Sequence, residues 1–469
     1  MKRRTGVANK QKKKRTTVGS IDAEVLTFTA GRDAVLDMAL AEADCIGSAA
    51  HVTMLSRLNV KPRLFSADES RKVITELVQI MKSASAGRFR ITVEDQDVHL
   101  AVERLLTAKL GVLGKRIHTG RSRNDQVALD LRLYAKVHLR ETVAQAADLA
   151  RELLLFARRH QKVPMAGRTH MQPAMPSSVG LWASAHAESL LEDIVLMMNA
   201  YELNDQCPLG AAAGYGVPLP LDRQLVSDLL GFSRPCQNVL YAVTARGKLE
   251  SIILSALSQA MLTLSRLSED LIIYSMPEFG YFRLPPAFCT GSSIMPQKFN
   301  PDVLELIRAR ACRVAAGSQA VAAIVRGLGS GYHRDVQETK EPLMEGVSTT
   351  QASLRIMTKF VRALDVDRAA LRKGLSPGVF AADRALELVA GGMPFRDAYQ
   401  QVKDHLNELN AADPDEALAK KTSYGAPANI DYDALLERAK QASAWAGDEQ
   451  KSFHAAISRL LGQKFPLAP

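Results

Sequence analysis

"ESIILSALSQAMLTLSRLSEDLIIY", residues 250–274, decides the fold. The run is greasy, yet polar residues interrupt it at helical spacing, which excludes a membrane span and points to an amphipathic helix. Leu249, Ile252, Ile253, Ala256, Ala260, Leu264 and Leu267 recur at steps of three and four, the period of a helix that buries one face. The run sits inside a proline-free segment from Cys236 to Met276, and four more such segments share the pattern: Arg121 to Val163, Ser177 to Cys207, Asp302 to Glu341 and Leu343 to Ser376. Each is rich in Ala, Leu, Glu, Arg and Gln, which favour helix. Val127, Leu131, Tyr134 and His138 repeat the spacing in the first of them. A helix of roughly 35 residues is about 50 Å long, and rods of that length gain stability mainly by burying a face on one another. Five of them imply a central bundle, and small residues on several faces, as in "AAGSQAVAAIVRGLGSG", suit packing on many sides, across subunits included.

The expected fold class is therefore all-α, with a long central helical bundle spanning residues 120–371. Shorter helical patterns on either side read as an N-terminal domain over residues 21–119 and a C-terminal one over 372–469. There is no strand-rich region and no internal repeat. At 469 residues the chain is too long for one small core.

The net charge of +10 would suit a nucleic-acid partner if it were spread over a domain, but it is not. The first twenty residues, "MKRRTGVANKQKKKRTTVGS", hold eight Lys or Arg and no acid, which leaves the body near neutral at +2. This tail cannot bury enough apolar surface to order itself and reads as a disordered, solvated extension over residues 1–20. A nuclear-localisation or RNA-touching role is the alternative, and deletion of the tail separates the two. Cys45, Cys207, Cys236, Cys289 and Cys312 are odd in number and scattered, without a CxxC pair. That favours reduced thiols in a cytoplasmic compartment. The ten histidines show no metal-ligand spacing, so no metal or cofactor is implied.

Four turn-rich stretches between the rods could carry chemistry, since loops gathered at bundle ends are where function sits. "GSSIMPQKFNPD", residues 291–302, places Asn300 as an N-cap, Pro301 in the first turn and Asp302 at the positive end of a helix. Ser292 is a poor base at neutral pH unless a cation stabilises its alkoxide, and Lys298 could be that cation. By composition alone a Gly-Ser linker with a solvated lysine is an equal reading. "KRIHTGRSRNDQVALDLRLY", residues 115–134, gathers donors at a helix start, which suits an anion. Arg121 and Arg123 lie two apart, so only one of them faces a ligand; surface arginines on a capped helix are the bland alternative. In "GRTHMQPAMPSS", Thr169, His170 and Gln172 offer a loop histidine as a proton shuttle, or merely a surface one. "YHRDVQETK", residues 332–340, offers Tyr332, Arg334, Gln337 and Lys340 as polar contacts, or an ordinary hydrophilic loop.

Taken together, "GSSIMPQKFNPD", "HTGRSRNDQ" and "THMQ" resemble the signatures of the fumarase, aspartase and argininosuccinate lyase superfamily, and within it the argininosuccinate lyases. The resemblance runs from about residue 30 through the bundle and, more thinly, into "LSPGVFAADRALELVAGGMPFRDAY". It implies a mostly helical protomer of three domains, a homotetramer with active sites shared between subunits, and reversible β-elimination of a small-molecule substrate, argininosuccinate, to arginine and fumarate. Carried over by position, it makes Ser292 the base, supported by Lys298, with His170 and Glu305 passing a proton to the leaving group. Ser122, Arg123, Asn124, Thr169, Gln172 and Asn300 would hold substrate carboxylates and polar groups. Tyr332, Arg334, Gln337 and Lys340 would hold the other end, and His99 in "EDQDVHLAVERLL" matches a further family contact. The chain departs from the commonest pattern at Phe299, Arg334, Arg168 and "FTAGRDAVLD", which bears on the substrate's amino-acid end more than on the elimination. A sister lyase acting on another N-substituted aspartate, or a non-catalytic structural relative, are the alternatives to exclude.

Overall fold

The computed structural model of this chain describes residues 15–16, 19–410 and 412–467. Apart from a two-residue pairing of Arg15–Thr16 with Gly19–Ser20, the expected disordered tail falls outside the described residues. From residue 21 onward the chain is overwhelmingly helical, in agreement with the all-α reading. The N-terminal region carries α1 (Ala23–Ala30), α2 (Asp33–Leu36), α3 (Ala41–Arg57), α4 (Ala67–Ser85), α5 (Val98–Leu110) and α6 (Val112–Arg116). Five long rods then form the bundle, with two short helices among them: α7 (Arg123–Arg159), α8 (Val179–Asn204), α9 (Arg223–Leu229), α10 (Val239–Thr244), α11 (Lys248–Ser275), α12 (Asp302–Val325) and α13 (Lys340–Ala363). The C-terminal region adds α14 (Arg368–Lys373), α15 (Ala381–Ala390), α16 (Phe395–Asp404), α17 (Pro414–Ala419) and α18 (Tyr432–Leu461).

Within the bundle α7 packs on α8, α13 and α18, and α11 packs on α8, α12 and α13. Ser122 sets the start of α7: its hydroxyl accepts from the Asn124 amide at 3.2 Å while its own amide donates to Asp125 at 3.0 Å, a reciprocal cap that satisfies helix-end donors. Asp125 also receives the amides of Gly210 and Ala212, at 3.0 and 2.8 Å. This ties the turn-rich "CPLGAAAGYGVPLP" stretch to the same end of the bundle. Burial drives the Asp125 carboxyl up to about 6, in spite of these donated hydrogen bonds.

Three local expectations need correction. The rods stop short of the proline-free segments: α12 ends at Val325, just before a run containing Gly327, Gly329 and Gly331, and not at Glu341. Asn300 does not cap α12. It pairs with Thr290 in a short antiparallel ladder, so Pro301 is left to precede the helix, without a side-chain cap. The "THMQ" segment is no open loop but the tip of a hairpin, Pro164–Thr169 against Gln172–Ser178.

Candidate active site

A cavity of about 170 Å³ lies where the N-terminal helices meet the start of α7 and the turn before α13. Of the residues singled out in the sequence, His99, Arg123, Asn124, Tyr332, Arg334, Gln337 and Lys340 line it. Arg123 pairs with Asp97, and Asp97 caps α5 by accepting from the Leu100 amide at 2.9 Å. Arg121 turns the other way, to the Ser48 hydroxyl at 2.9 Å, so only one of the two arginines reaches the cavity, as their spacing requires. Burial lowers the pKa of Arg121, against the pull of Asp44 and Asp125.

The turn before α13 is a 3-10 helix, Arg334–Thr339, and it grips the N-terminal segment. Arg334 donates to the carbonyl of Thr29, and Gln337 donates to the same carbonyl at 3.2 Å. Lys340 is buried and donates to Asp37 at 2.6 Å and to Asp33 at 2.9 Å. Asp37 is fully buried and also accepts the Val98 amide at 3.3 Å. Burial raises the Asp33 carboxyl, and the Lys340 ammonium opposes the rise. Lys340, expected as a free ligand contact, is thus first an internal ion-pair partner. Sequence reading missed Asp33, Asp37, Gln96, Asp97 and Arg246, which also line the cavity. The signal for two of them was present in "GRDAVLD", where acids four apart fall on one helical face.

Behind the cavity wall lies a buried charge cluster. His99 Nδ1 is 2.7 Å from Asp44 and 3.7 Å from Asp130, and all three side chains are buried. Burial alone would discharge the imidazole, but Asp44 through its charge and hydrogen bond, with Asp130 and Asp97, overrides it and lifts the pKa to about 9. Burial, then the Asp44 charge, pushes Asp130 well above the usual carboxylate range. His99 is therefore held as an imidazolium at neutral pH. The ligand atoms of Asp44, His99 and Asp130 lie within 4.8 Å of one another, a spacing that would admit a metal ion. Within the cluster His99 and Asp44 share a proton across their 2.7 Å contact.

The remaining candidates are elsewhere on this chain. Ser292, Lys298 and Asn300 lie on the segment closed by pairing of Thr290–Gly291 with Phe299–Asn300. Ser292 Oγ accepts the amides of Ile294 and Met295 at 3.3 and 3.0 Å. Thr290 donates to Asp302 at the start of α12, and Glu305 is exposed on its first turn. Thr169, His170 and Gln172 are exposed at the hairpin tip. None of Ser292, Lys298, Asn300, Glu305, Thr169, His170 and Gln172 lines the cavity, and Ser122 stands beside it as the α7 cap.

The fold and the site place the chain in a known class. The family described as "Lyase" matches residues 21–316. Similar chains include "Argininosuccinate lyase" of Sorangium cellulosum (strain So ce56), 44% identical over 420 residues, which cover 90% of this chain and 96% of that one. "Argininosuccinate lyase" of Thermotoga neapolitana is 40% identical over 82% of this chain and 96% of that one. The chain belongs to the argininosuccinate lyase family of these lyases. Among solved structures, an EDDS lyase variant with bound fumarate matches with a TM-score of 0.78 at 22% identity, covering 94% of this chain and 95% of that one. A class II fumarase from Schistosoma mansoni matches with 0.68 at 16% identity, covering 86% and 98%. At these identities the structural likeness speaks for the fold alone.

Proposed function

We propose that this chain cleaves argininosuccinate reversibly to arginine and fumarate, a step of arginine biosynthesis, by β-elimination. The observation that carries the reading is the cavity, where seven residues marked by the sequence motifs converge from three separate parts of the chain. The 38–44% identity to chains named argininosuccinate lyase supports the choice of substrate. In this reading a Ser292 alkoxide, stabilised by Lys298, removes the proton from the carbon beside a carboxylate. The C–N bond then breaks and the guanidino group leaves with a proton relayed through His170 and Glu305. The difficulty of the step is negative charge gathering on a substrate already anionic, and fixed cations lower that barrier.

The groups that would do the chemistry lie outside the cavity of their own chain, and we infer that neighbouring copies bring them together in a homotetramer. The surface of α12 supports this: of its residues only Leu304, Ile307, Val314 and Val321 are buried, while Leu306 is 51% exposed. A helix of that length with so much of its surface left exposed asks for another copy to cover it. We further propose domains at 21–119, 120–371 and 372–469, and a cytoplasmic setting, consistent with five free cysteines. No helix among the described residues is long and apolar enough to cross a membrane. The test is to incubate the purified protein with argininosuccinate and follow fumarate. No fumarate from argininosuccinate, but release from another N-substituted aspartate, would assign the site to a sister lyase.

A further inference from the structure

The hairpin tip that carries His170 adopts a backbone its residues do not favour. His170 and Met171 have φ values of 52° and 61°, and Thr169 pairs directly with Gln172, so a two-residue loop holds both of its residues left-handed. Asn and Gly occupy such positions at little cost, whereas the Cβ of His or Met crowds the neighbouring carbonyl. A tip of this kind persists only where its surroundings over-determine it.

Arg168 supplies that constraint. Its Nη1 donates to the Met171 carbonyl at 3.0 Å, across the base of the loop. Its guanidinium lies over the Phe279 ring, 4.7 Å from the centroid. Phe279 in turn meets Tyr274 and Tyr281 edge-on, with centroids 5.8 and 5.5 Å away. The arginine is therefore clamped between the turn it braces and an aromatic cluster rooted at the end of α11. Gly167 opens the way: the ladder shifts register between Ala166 and Arg168, and a Cβ at Gly167 would stand 3.1 Å from the Met175 carbonyl oxygen. Irregularities of this kind re-aim the next side chain.

We infer that Arg168 is the positioning residue for His170, fastening the Met171 carbonyl to the aromatic cluster and so fixing the direction in which the imidazole is presented to the leaving group. The inference rests on the reading of His170 as the proton relay and deepens it. A proton transfer depends steeply on donor placement, so a loosened tip costs turnover more than substrate affinity.

Three variants and two measurements test it on the full-length protein. Arg168→Met removes the donor and the cation at similar length, Phe279→Leu removes the ring, and Arg168→Lys keeps a charged donor. Each is assayed for argininosuccinate cleavage, and backbone amide hydrogen exchange is followed in peptides spanning residues 165–178. Arg168→Met should lower kcat about ten- to hundredfold with KM within about twofold. Exchange at residues 170–172 should quicken about tenfold or more while α8 stays protected. Phe279→Leu should move both in the same direction by less, and Arg168→Lys should recover most of kcat. Wild-type kcat in Arg168→Met overturns the inference, and so does a fall in kcat with unchanged exchange at the tip. His170→Gln is the separate control: if it keeps full turnover, the relay reading fails and takes the inference's catalytic half with it, even where exchange proves that Arg168 holds the tip.

Discussion

Discharging His99 by raising the pH should loosen the fold, and the sign is set by its surroundings. Burial opposes the imidazolium, but Asp44, Asp130 and Asp97 together hold the folded-state pKa at about 9, against 6.5 for an unperturbed histidine. Below 6.5 both folded and unfolded chains carry the proton, and the contribution to stability is fully present. Between 6.5 and about 9 the unfolded chain releases it while the folded chain must keep it, so stability falls as pH rises and the contribution is gone above 9. At about 1.4 kcal/mol per pH unit the rise is worth on the order of 3 kcal/mol. An unfolding entropy near 2 cal/mol/K per residue puts that at about 3 °C in the melting midpoint of a chain this long. His99→Gln keeps the size and can donate to Asp44, yet carries no charge. Its midpoint should lie about 3 °C or more below wild type at pH 6.5, and the gap should close by about pH 9.5. Burial and the Asp44 charge raise the Asp130 carboxyl, and the His99 charge opposes that rise. The measurement is calorimetry across that range. Two curves that stay parallel from pH 6.5 upward would refute the charge assignment.

Other outcomes are set by single contacts. Ser292→Ala and Lys298→Ala should each lose about a thousandfold or more in turnover with the assembly intact by light scattering, and near-normal activity in either would remove it from the chemistry. Cys289→Ala, near the same segment, should change kcat little; a large loss would mean that the signature segment depends on that thiol. Lys340→Met strands the buried Asp37, which should cost about 3–5 kcal/mol, and a melting midpoint equal to wild type would show that the ion pair contributes nothing. In Gly180→Ala the new Cβ would lie 2.5 Å from Gln161 Cα and 2.9 Å from the Ala157 carbonyl oxygen. Backbone cannot step aside, so about 1–3 kcal/mol of destabilisation is expected in thermal melts; an unchanged midpoint contradicts the packing at the α7–α8 junction.

How much of the molecule was legible depends on the range of the interaction. The bundle could be read because helix period and proline absence are local, and α7, α8 and α11 fall within the segments so marked. The divergence of Arg121 from Arg123 was equally local. The hairpin at Pro164–Thr169 escaped because its two strands carry three prolines, which argue against a strand from within, and tertiary contacts override that preference. The capping role given to Asn300 failed because the ladder with Thr290, ten residues away, claims it first. Asp33 and Asp37 escaped for a different reason. Their partner Lys340 is some three hundred residues distant, and no spacing rule reaches that far.

That distant pairing bears on how the cavity can work. Its walls come from the N-terminal helices and from the turn before α13, and they are joined by the ion pairs of Lys340 with Asp33 and Asp37 and by the hydrogen bond from Arg334 to the Thr29 carbonyl in α1. Counting His99 as charged, the lining holds five cations, His99, Arg123, Arg246, Arg334 and Lys340, against the carboxylates of Asp33, Asp37 and Asp97. The excess is positive, which suits a polyanionic substrate. The carboxylates also hold the cations in place before any ligand arrives, so little reorganisation is needed when charge develops. An all-cationic pocket would attract the same anion more strongly, but its like charges would repel one another and open the seam between α1 and α13. The paired arrangement keeps the two walls together and still leaves a net positive field in the cavity, so the contacts that hold the walls do not cancel its charge.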